Sequence, residues 1–123
     1  MRYIQQTLPH QLRVLGSQVD EIQFTLDTRP RRKDSTRYTI ENHEDRLAEL
    51  RRYLETICND FPDASIVEVD YAPSCLADVA RAFAGGEFIP KTAWNGSPFY
   101  AYLYGIFRAR NDYVFHMDSD MLY

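Results

Sequence analysis

The chain has 123 residues, of which 45% are hydrophobic and 14% aromatic, enough for a single domain with its own core. Its 14 Lys and Arg against 18 Asp and Glu give a net charge of -4, which disfavours nucleic acid as a partner. No apolar run is long enough to span a bilayer, and the N-terminus lacks the pattern of a secretory signal, so we expect a soluble cytoplasmic protein. Cys58 and Cys75 lack the spacing of zinc ligands and are interpreted as reduced core thiols.

A helix and a strand are predicted at the start of the chain. Apolar residues three or four apart indicate a helix over residues 4–15, which Pro9 should kink or restart and Gly16 should end. Residues 20–27 then alternate between apolar and polar side chains, a pattern typical of a strand. This first predicted strand ends on Asp27.

The middle of the chain repeats this alternation after a long polar stretch. Residues 28–43 are charge-rich and predict a loop, whereas residues 44–59 carry the clearest helical stripe. Residues 66–69 predict a short strand. Ser74 is placed to cap a following helix whose apolar positions run over residues 76–83.

The last third of the chain predicts a helix and a buried strand. Ser97-Pro98 is a typical N-cap with proline at the first helical position. The side chains expected to face inward from this helix are Phe99, Tyr102, Leu103, Ile106 and Phe107. Residues 113–117 form an almost continuous apolar run, including His116 as a core residue, and predict a buried strand. The order of elements predicts an α/β fold with helices on both faces of a mostly parallel open sheet.

Two predicted strands deliver carboxylates at their C-terminal ends. Ligands of open parallel sheets bind at that edge, where Asp27, Asp118 and Asp120 are expected. Extended residues two apart project to the same side, so Asp118 and Asp120 could both face one hard cation such as Mn²⁺ or Mg²⁺. Such a metal could also hold a diphosphate and neutralise its charge as it leaves. His116 could add a third ligand.

The segment Val114-Phe115-His116-Met117-Asp118-Ser119-Asp120 resembles the strand and DxD turn of family 2 and related GT-A glycosyltransferases. The stretch from Asp20 to Asp27 is similar to the second strand of that family, residues 2–15 to the helix before it, and residues 91–110 to the segment before the DxD strand. The resemblance covers nearly the whole chain. It implies a three-layer α/β/α, Rossmann-like GT-A fold, a nucleotide-diphospho-sugar donor and a divalent metal cofactor.

The resemblance also implies roles for individual residues. Asp118 would contact ribose and metal, and Asp120 would be the main metal ligand to the diphosphate. Asp27 would contact the nucleotide, with Lys91 and Asn95 beside it. The acceptor and the catalytic base stay unidentified.

The same resemblance predicts that the single domain 1–123 is only the nucleotide-sugar-binding part of such an enzyme. The family's first strand and its C-terminal acceptor half are missing, so we expect this chain alone to have no transferase activity. The absent strand would lie between the strands ending at Asp27 and Asp118. Its loss would leave unpaired strand edges through which two copies could associate.

Two other functions fit parts of the pattern. Haloacid-dehalogenase-type phosphatases also carry Asp-x-Asp after an apolar strand, and Asp118 would then be the nucleophile and Asp120 the general acid. Leu122 departs from that family, which has Thr or Val there. The third alternative is a non-catalytic interaction module, or a degenerate half-domain that binds a nucleotide without transferring anything. Independently of these alternatives, Trp94 could stack on a base or a sugar.

Overall fold

The computed structural model describes residues 2–28, 43–83 and 99–117, and these ranges form an α/β fold. Four helices and two strands are present in them. Their bounds are α1 Arg2–Leu15, β1 Ile22–Leu26, α2 His43–Asp60, β2 Ala64–Glu68, α3 Pro73–Ala82 and α4 Phe99–Arg108. The predicted positions of α1, β1, α2 and β2 are confirmed within a few residues at each end.

The strands β1 and β2 pair in parallel, as predicted for strands connected through a helix. Ile22 lies opposite Ala64 and Leu26 opposite Glu68. The pairing continues one step further, because the Val69 amide donates to the Leu26 carbonyl at 3.0 Å. Within the described ranges the sheet consists of these two strands. Because they are parallel, both strands end at the same carboxyl edge, β1 at Leu26 and β2 at Glu68.

Two core clusters lie on opposite sides of this sheet. Ile66 packs with the cluster of α1 and α2, whose buried members are Leu8, Leu54 and Ile57. Val67, the next residue of β2, packs with the cluster of α3 and α4. Successive strand residues point to opposite faces of a sheet, so the two clusters contact β2 through opposite faces. The buried members of the second cluster are Val69, Leu76, Val79, Tyr100, Ala101 and Tyr104.

The first helix runs through Pro9 without the predicted restart. The helix ends as predicted at Gly16, whose amide donates to the Leu12 carbonyl at 2.8 Å. A Cβ at Gly16 would lie 2.5 Å from that carbonyl oxygen. Any side chain would therefore push the end of α1 out of position.

The predicted cap of α3 is wrong. Ser74 lies inside the helix, and the N-cap is Ala72, which has no side chain to act as a cap. Pro73 occupies the start of the helix, where its missing N–H costs nothing. Two residues before this N-cap, Asp70 Oδ1 accepts a hydrogen bond from the Ala72 amide at 2.8 Å, which fixes the turn into the helix.

The predicted inward face of α4 is also wrong. The structure buries Tyr100, Ala101 and Tyr104. Of the predicted set, Leu103 is partly buried, and the others are between 38% and 44% exposed, namely Phe99, Tyr102, Ile106 and Phe107. The reason is steric. Gly105 faces β1 so closely that a Cβ there would lie 2.7 Å from Thr25 Oγ1, and the buried Ala101 lies one helical turn earlier on the same side.

The predicted strand over residues 113–117 is not formed. The segment has no regular secondary structure, and the side chains of Tyr113, Val114 and Phe115 are 96%, 46% and 67% exposed. His116 is likewise exposed, not a core residue. An apolar segment is buried only where neighbouring elements cover it. Neither strand of the described ranges pairs with residues 113–117. No helix in these ranges is both long and apolar enough to cross a membrane.

Candidate functional site at the carboxyl edge of the sheet

Side chains from both strand ends meet at the carboxyl edge of the sheet. Asp27 directly follows β1, and Asp70 and Tyr71 follow β2 within three residues. The Tyr71 hydroxyl donates a hydrogen bond to Asp27 Oδ2 at 2.8 Å. This bond joins the two strand ends beyond their last backbone contact. Asp27 is exposed and Tyr71 half-buried, so the pair lies where a ligand can reach it.

Asp70 shapes the turn from β2 into α3. Its side chain accepts the hydrogen bond from the Ala72 amide, and its backbone carbonyl accepts one from the Tyr100 hydroxyl at 2.6 Å. Tyr100 is completely buried. Burial, together with the nearby Cys75 thiol, raises the pKa of the Tyr100 hydroxyl, which therefore remains a neutral donor at physiological pH. The loop that carries Tyr71 is thus tied to the core of α4.

The rings of Tyr71, Tyr100 and Tyr104 form a row of tilted aromatic contacts that begins next to Asp27. The Tyr71 and Tyr100 rings lie 5.1 Å apart at a tilt of 46°, and the Tyr100 and Tyr104 rings 6.0 Å apart at 44°. Tilted arrangements at this spacing are favourable for aromatic pairs. Arg108 closes the row by donating to the Tyr104 hydroxyl at 3.0 Å. The row connects the exposed edge to the middle of the second core cluster.

Other polar contacts surround the same edge. His43 Nε2 lies 3.1 Å from the Thr28 carbonyl oxygen, which can only accept, so Nε2 is the donor. This contact brings the start of α2 next to the residue after Asp27. Glu68, the last residue of β2, pairs with Arg51 of α2 at 2.5 Å. The guanidinium of Arg51 is therefore already engaged by a carboxylate.

The opposite, amino edge of the sheet holds an ion pair that orients the C-terminal segment. Arg110 Nε donates to Glu21 Oε2 at 2.6 Å, and the Arg110 amide lies 3.3 Å from Glu21 Oε1. The hydrogen bond from the Arg110 side chain lowers the pKa of the Glu21 carboxyl. Farther along the chain, the His116 ring lies 4.5 Å from that of Tyr102. The segment from Arg110 to His116 therefore runs back along α4, in the same direction as β1.

Of the five predicted site residues, one belongs to the part of the chain that the structure describes. Asp27 lies at the carboxyl end of β1, as expected. Lys91, Asn95, Asp118 and Asp120 lie outside the described residues. Asp70 and Tyr71 did not enter the predicted site, although an Asp-Tyr pair directly after a predicted strand is the signal that could have found them. Within ranges 2–28, 43–83 and 99–117, no group of three potential metal-ligating side chains occurs.

Both cysteines are free thiols and half-buried, which agrees with their interpretation as reduced residues. Burial raises the pKa of the Cys58 thiol, and the nearby Glu55 adds to this effect. Cys75 Sγ lies 3.6 Å from the Tyr100 hydroxyl. A raised pKa disfavours the reactive thiolate, so Cys58 has the properties of a packing residue.

Comparison of the chain with protein-family models, with curated proteins and with solved structures finds no match. The resemblance to glycosyltransferases therefore stays a prediction from the residues quoted above, and the site has to be interpreted from its own chemistry.

Proposed function

We propose that this chain binds the nucleoside diphosphate part of a nucleotide-sugar donor, as the donor half of a metal-dependent glycosyltransferase with a three-layer, Rossmann-like fold. The observation that carries the proposal is the convergence of Asp27 and Tyr71 at the carboxyl edge of a parallel sheet. Ligands of open α/β sheets bind outside this edge.

The charge of the edge supports a nucleoside at this position. Asp27 and Asp70 are carboxylates, and the nearby Arg51 is held by Glu68. Carboxylates accept hydrogen bonds from hydroxyl and N–H groups and repel phosphate. The ribose hydroxyls or the base N–H groups of a nucleotide fit beside Asp27, and the diphosphate would lie farther along the edge.

The direction of the C-terminal segment supports a second part of the site. Asp118 follows Arg110 by eight positions, and an extended chain of that length spans at most about 29 Å. The run from Glu21 to Asp27 along β1 spans roughly 20 Å. Since Arg110 is held at Glu21 and the segment runs in the direction of β1, the chain is long enough for Asp118 and Asp120 to reach the edge that carries Asp27.

A divalent cation fits the donor set proposed for this second part. Carboxylate oxygens such as those of Asp118 and Asp120 are the ligands that Mg²⁺ and Mn²⁺ prefer. When bound, the metal would neutralise the charge that develops on the departing nucleoside diphosphate. Asp27 would hold and orient the nucleoside, with Lys91 and Asn95 as further contacts.

Isothermal titration of the full chain with UDP and GDP, each with and without Mn²⁺ or Mg²⁺, tests the proposal. We expect nucleotide binding that requires the metal and is weakened by Asp120→Asn. Asp27→Ala should weaken binding of the nucleotide and of the nucleoside alone, because its contact does not involve phosphate. Asp63→Asn is the matched control, since Asp63 is an exposed carboxylate directly before β2, at the opposite edge.

Absence of metal-dependent binding by the unmodified chain would overturn the proposal. Incubation with a generic phosphomonoester separates it from the phosphatase alternative. Turnover that Asp118→Asn abolishes would favour the phosphatase.

A further inference from the structure

Asp27 is an exposed carboxylate directly after the end of β1. Here the Tyr71 hydroxyl donates to one of its oxygens at 2.8 Å, from a residue 44 positions further along the chain. The parallel register ends with Leu26 opposite Glu68 and the amide contact of Val69, so this hydrogen bond comes after the last backbone link between the strands. The hydrogen bond from Tyr71 therefore holds the Asp27 carboxylate at a point beyond the backbone pairing of the two strands.

Tyr71 can hold Asp27 because its own ring is fixed. The ring packs against Tyr100, which is completely buried, at a centroid distance of 5.1 Å. The Tyr100 hydroxyl in turn donates to the carbonyl of Asp70, the residue just before Tyr71. One buried side chain therefore contacts both the backbone and the ring of the loop that carries Tyr71. The position of the Tyr71 hydroxyl is set by the core of α4, not by solvent.

From this geometry we infer that Tyr71 is a positioning residue for Asp27. By donating to Oδ2 it restricts the carboxylate to one rotamer before any ligand arrives. A carboxylate held in place loses less conformational entropy when a ligand hydroxyl or N–H group binds to it. The inference rests on the proposed function only for the identity of the ligand, a nucleoside whose ribose or base supplies those donors.

The first test needs no ligand. Side-chain coupling constants of Asp27, measured by NMR in the full chain, report whether its χ1 angle has one value or an average. We expect one rotamer in the unmodified protein and averaging in Tyr71→Phe, which keeps the row of ring contacts and removes only the hydroxyl. Tyr53→Phe is the matched control, because it removes a hydroxyl from α2, which packs on the other face of the sheet. A single Asp27 rotamer in Tyr71→Phe would overturn the inference.

The second test measures the consequence for binding. Tyr71→Phe should weaken the affinity for UDP or GDP with Mn²⁺ by about threefold to tenfold, because the Asp27 side chain then has to be ordered when the ligand binds. In an Asp27→Ala background the same substitution should have no further effect, since Tyr71 acts through Asp27. Equal losses in both backgrounds would overturn the positioning role and leave the proposed function standing. No nucleotide binding by the unmodified chain would overturn the proposed function, and the NMR result would still decide the role of Tyr71.

Discussion

Gly105 lies at a close approach of α4 to β1. A Cβ at this position would lie 2.7 Å from Thr25 Oγ1 and 3.5 Å from both Thr25 Cβ and Cγ2. The Gly105 carbonyl also accepts a hydrogen bond from the Gln23 side chain at 2.8 Å. Threonine is β-branched and stiff at χ1, so its hydroxyl cannot move away without a change of rotamer. Gly105→Ala therefore requires either a change of the Thr25 rotamer or a shift of α4 away from the strand.

Two opposing effects decide the stability of Gly105→Ala. Alanine is more favourable than glycine inside a helix by about 1 kcal/mol. Inserting a methyl group into a close contact costs about 1 to 3 kcal/mol. With a cost near the middle of that range, the variant should be destabilised by about 1 kcal/mol. For a domain of this size the melting temperature should fall by roughly 4 °C.

The assay is urea unfolding of Gly105→Ala in two backgrounds. Thr25→Ala removes the γ atoms that the new methyl group would meet, and Thr25 is exposed, so this background should itself fold. There the helix preference acts without the clash, and Gly105→Ala should stabilise the protein by about 1 kcal/mol. The sign of the effect thus reverses between backgrounds. The same loss in both, or a gain in the unmodified background, would refute the contact as the reason for glycine.

Two further substitutions test other contacts of the fold. Glu21→Gln should lower the free energy of unfolding at neutral pH by up to about 1 kcal/mol, because it removes the pair with the exposed Arg110. The folded-state pKa of Glu21 is lowered, so its contribution is complete above the ordinary value of about 4.3 and is lost as pH falls through the folded value. Urea unfolding of both proteins over this pH range should show the difference disappear, and a difference that persists when Glu21 is protonated would contradict the pairing. Tyr100→Phe should cost about 1 kcal/mol by removing the hydrogen bond to the Asp70 carbonyl, and an unchanged urea midpoint would contradict that bond.

The elements that the sequence predicted well are those whose pattern admits one interpretation. The helix α2 carries one apolar stripe on an otherwise charged segment, and β1 alternates between apolar and polar residues. In α4, by contrast, apolar and aromatic residues occur around the whole helix, so spacing alone does not select the buried face. The signal that does is the pair of small residues Ala101 and Gly105, one helical turn apart. They mark the side on which the helix can lie against the sheet.

The sequence predicts only the part of the candidate site that follows a segment with a clear pattern. Asp27 was found because a clear alternation leads to it, and it lies at the carboxyl end of β1 as expected. Its partner was missed because Tyr71 comes from 44 residues away, and only the parallel register brings it near. The apolar pattern of residues 113–117 predicts a buried strand only if hydrophobicity implies burial. Burial depends on what lies beside the segment, which its own residues do not determine.

The amino and carboxyl edges of the sheet are linked through α4. Its N-terminal turn holds Tyr100 against the loop that carries Tyr71, and two residues beyond its C-terminal end Arg110 is bound to Glu21. The helix therefore lies antiparallel to β1, and the described segment after it turns back along α4, as the contact of His116 with Tyr102 shows. The ion pair at Glu21 thus holds the start of the segment that runs back along α4 as far as Tyr102. On the proposed function, Glu21→Gln should weaken metal-dependent nucleotide binding while leaving the binding of the nucleoside alone unchanged.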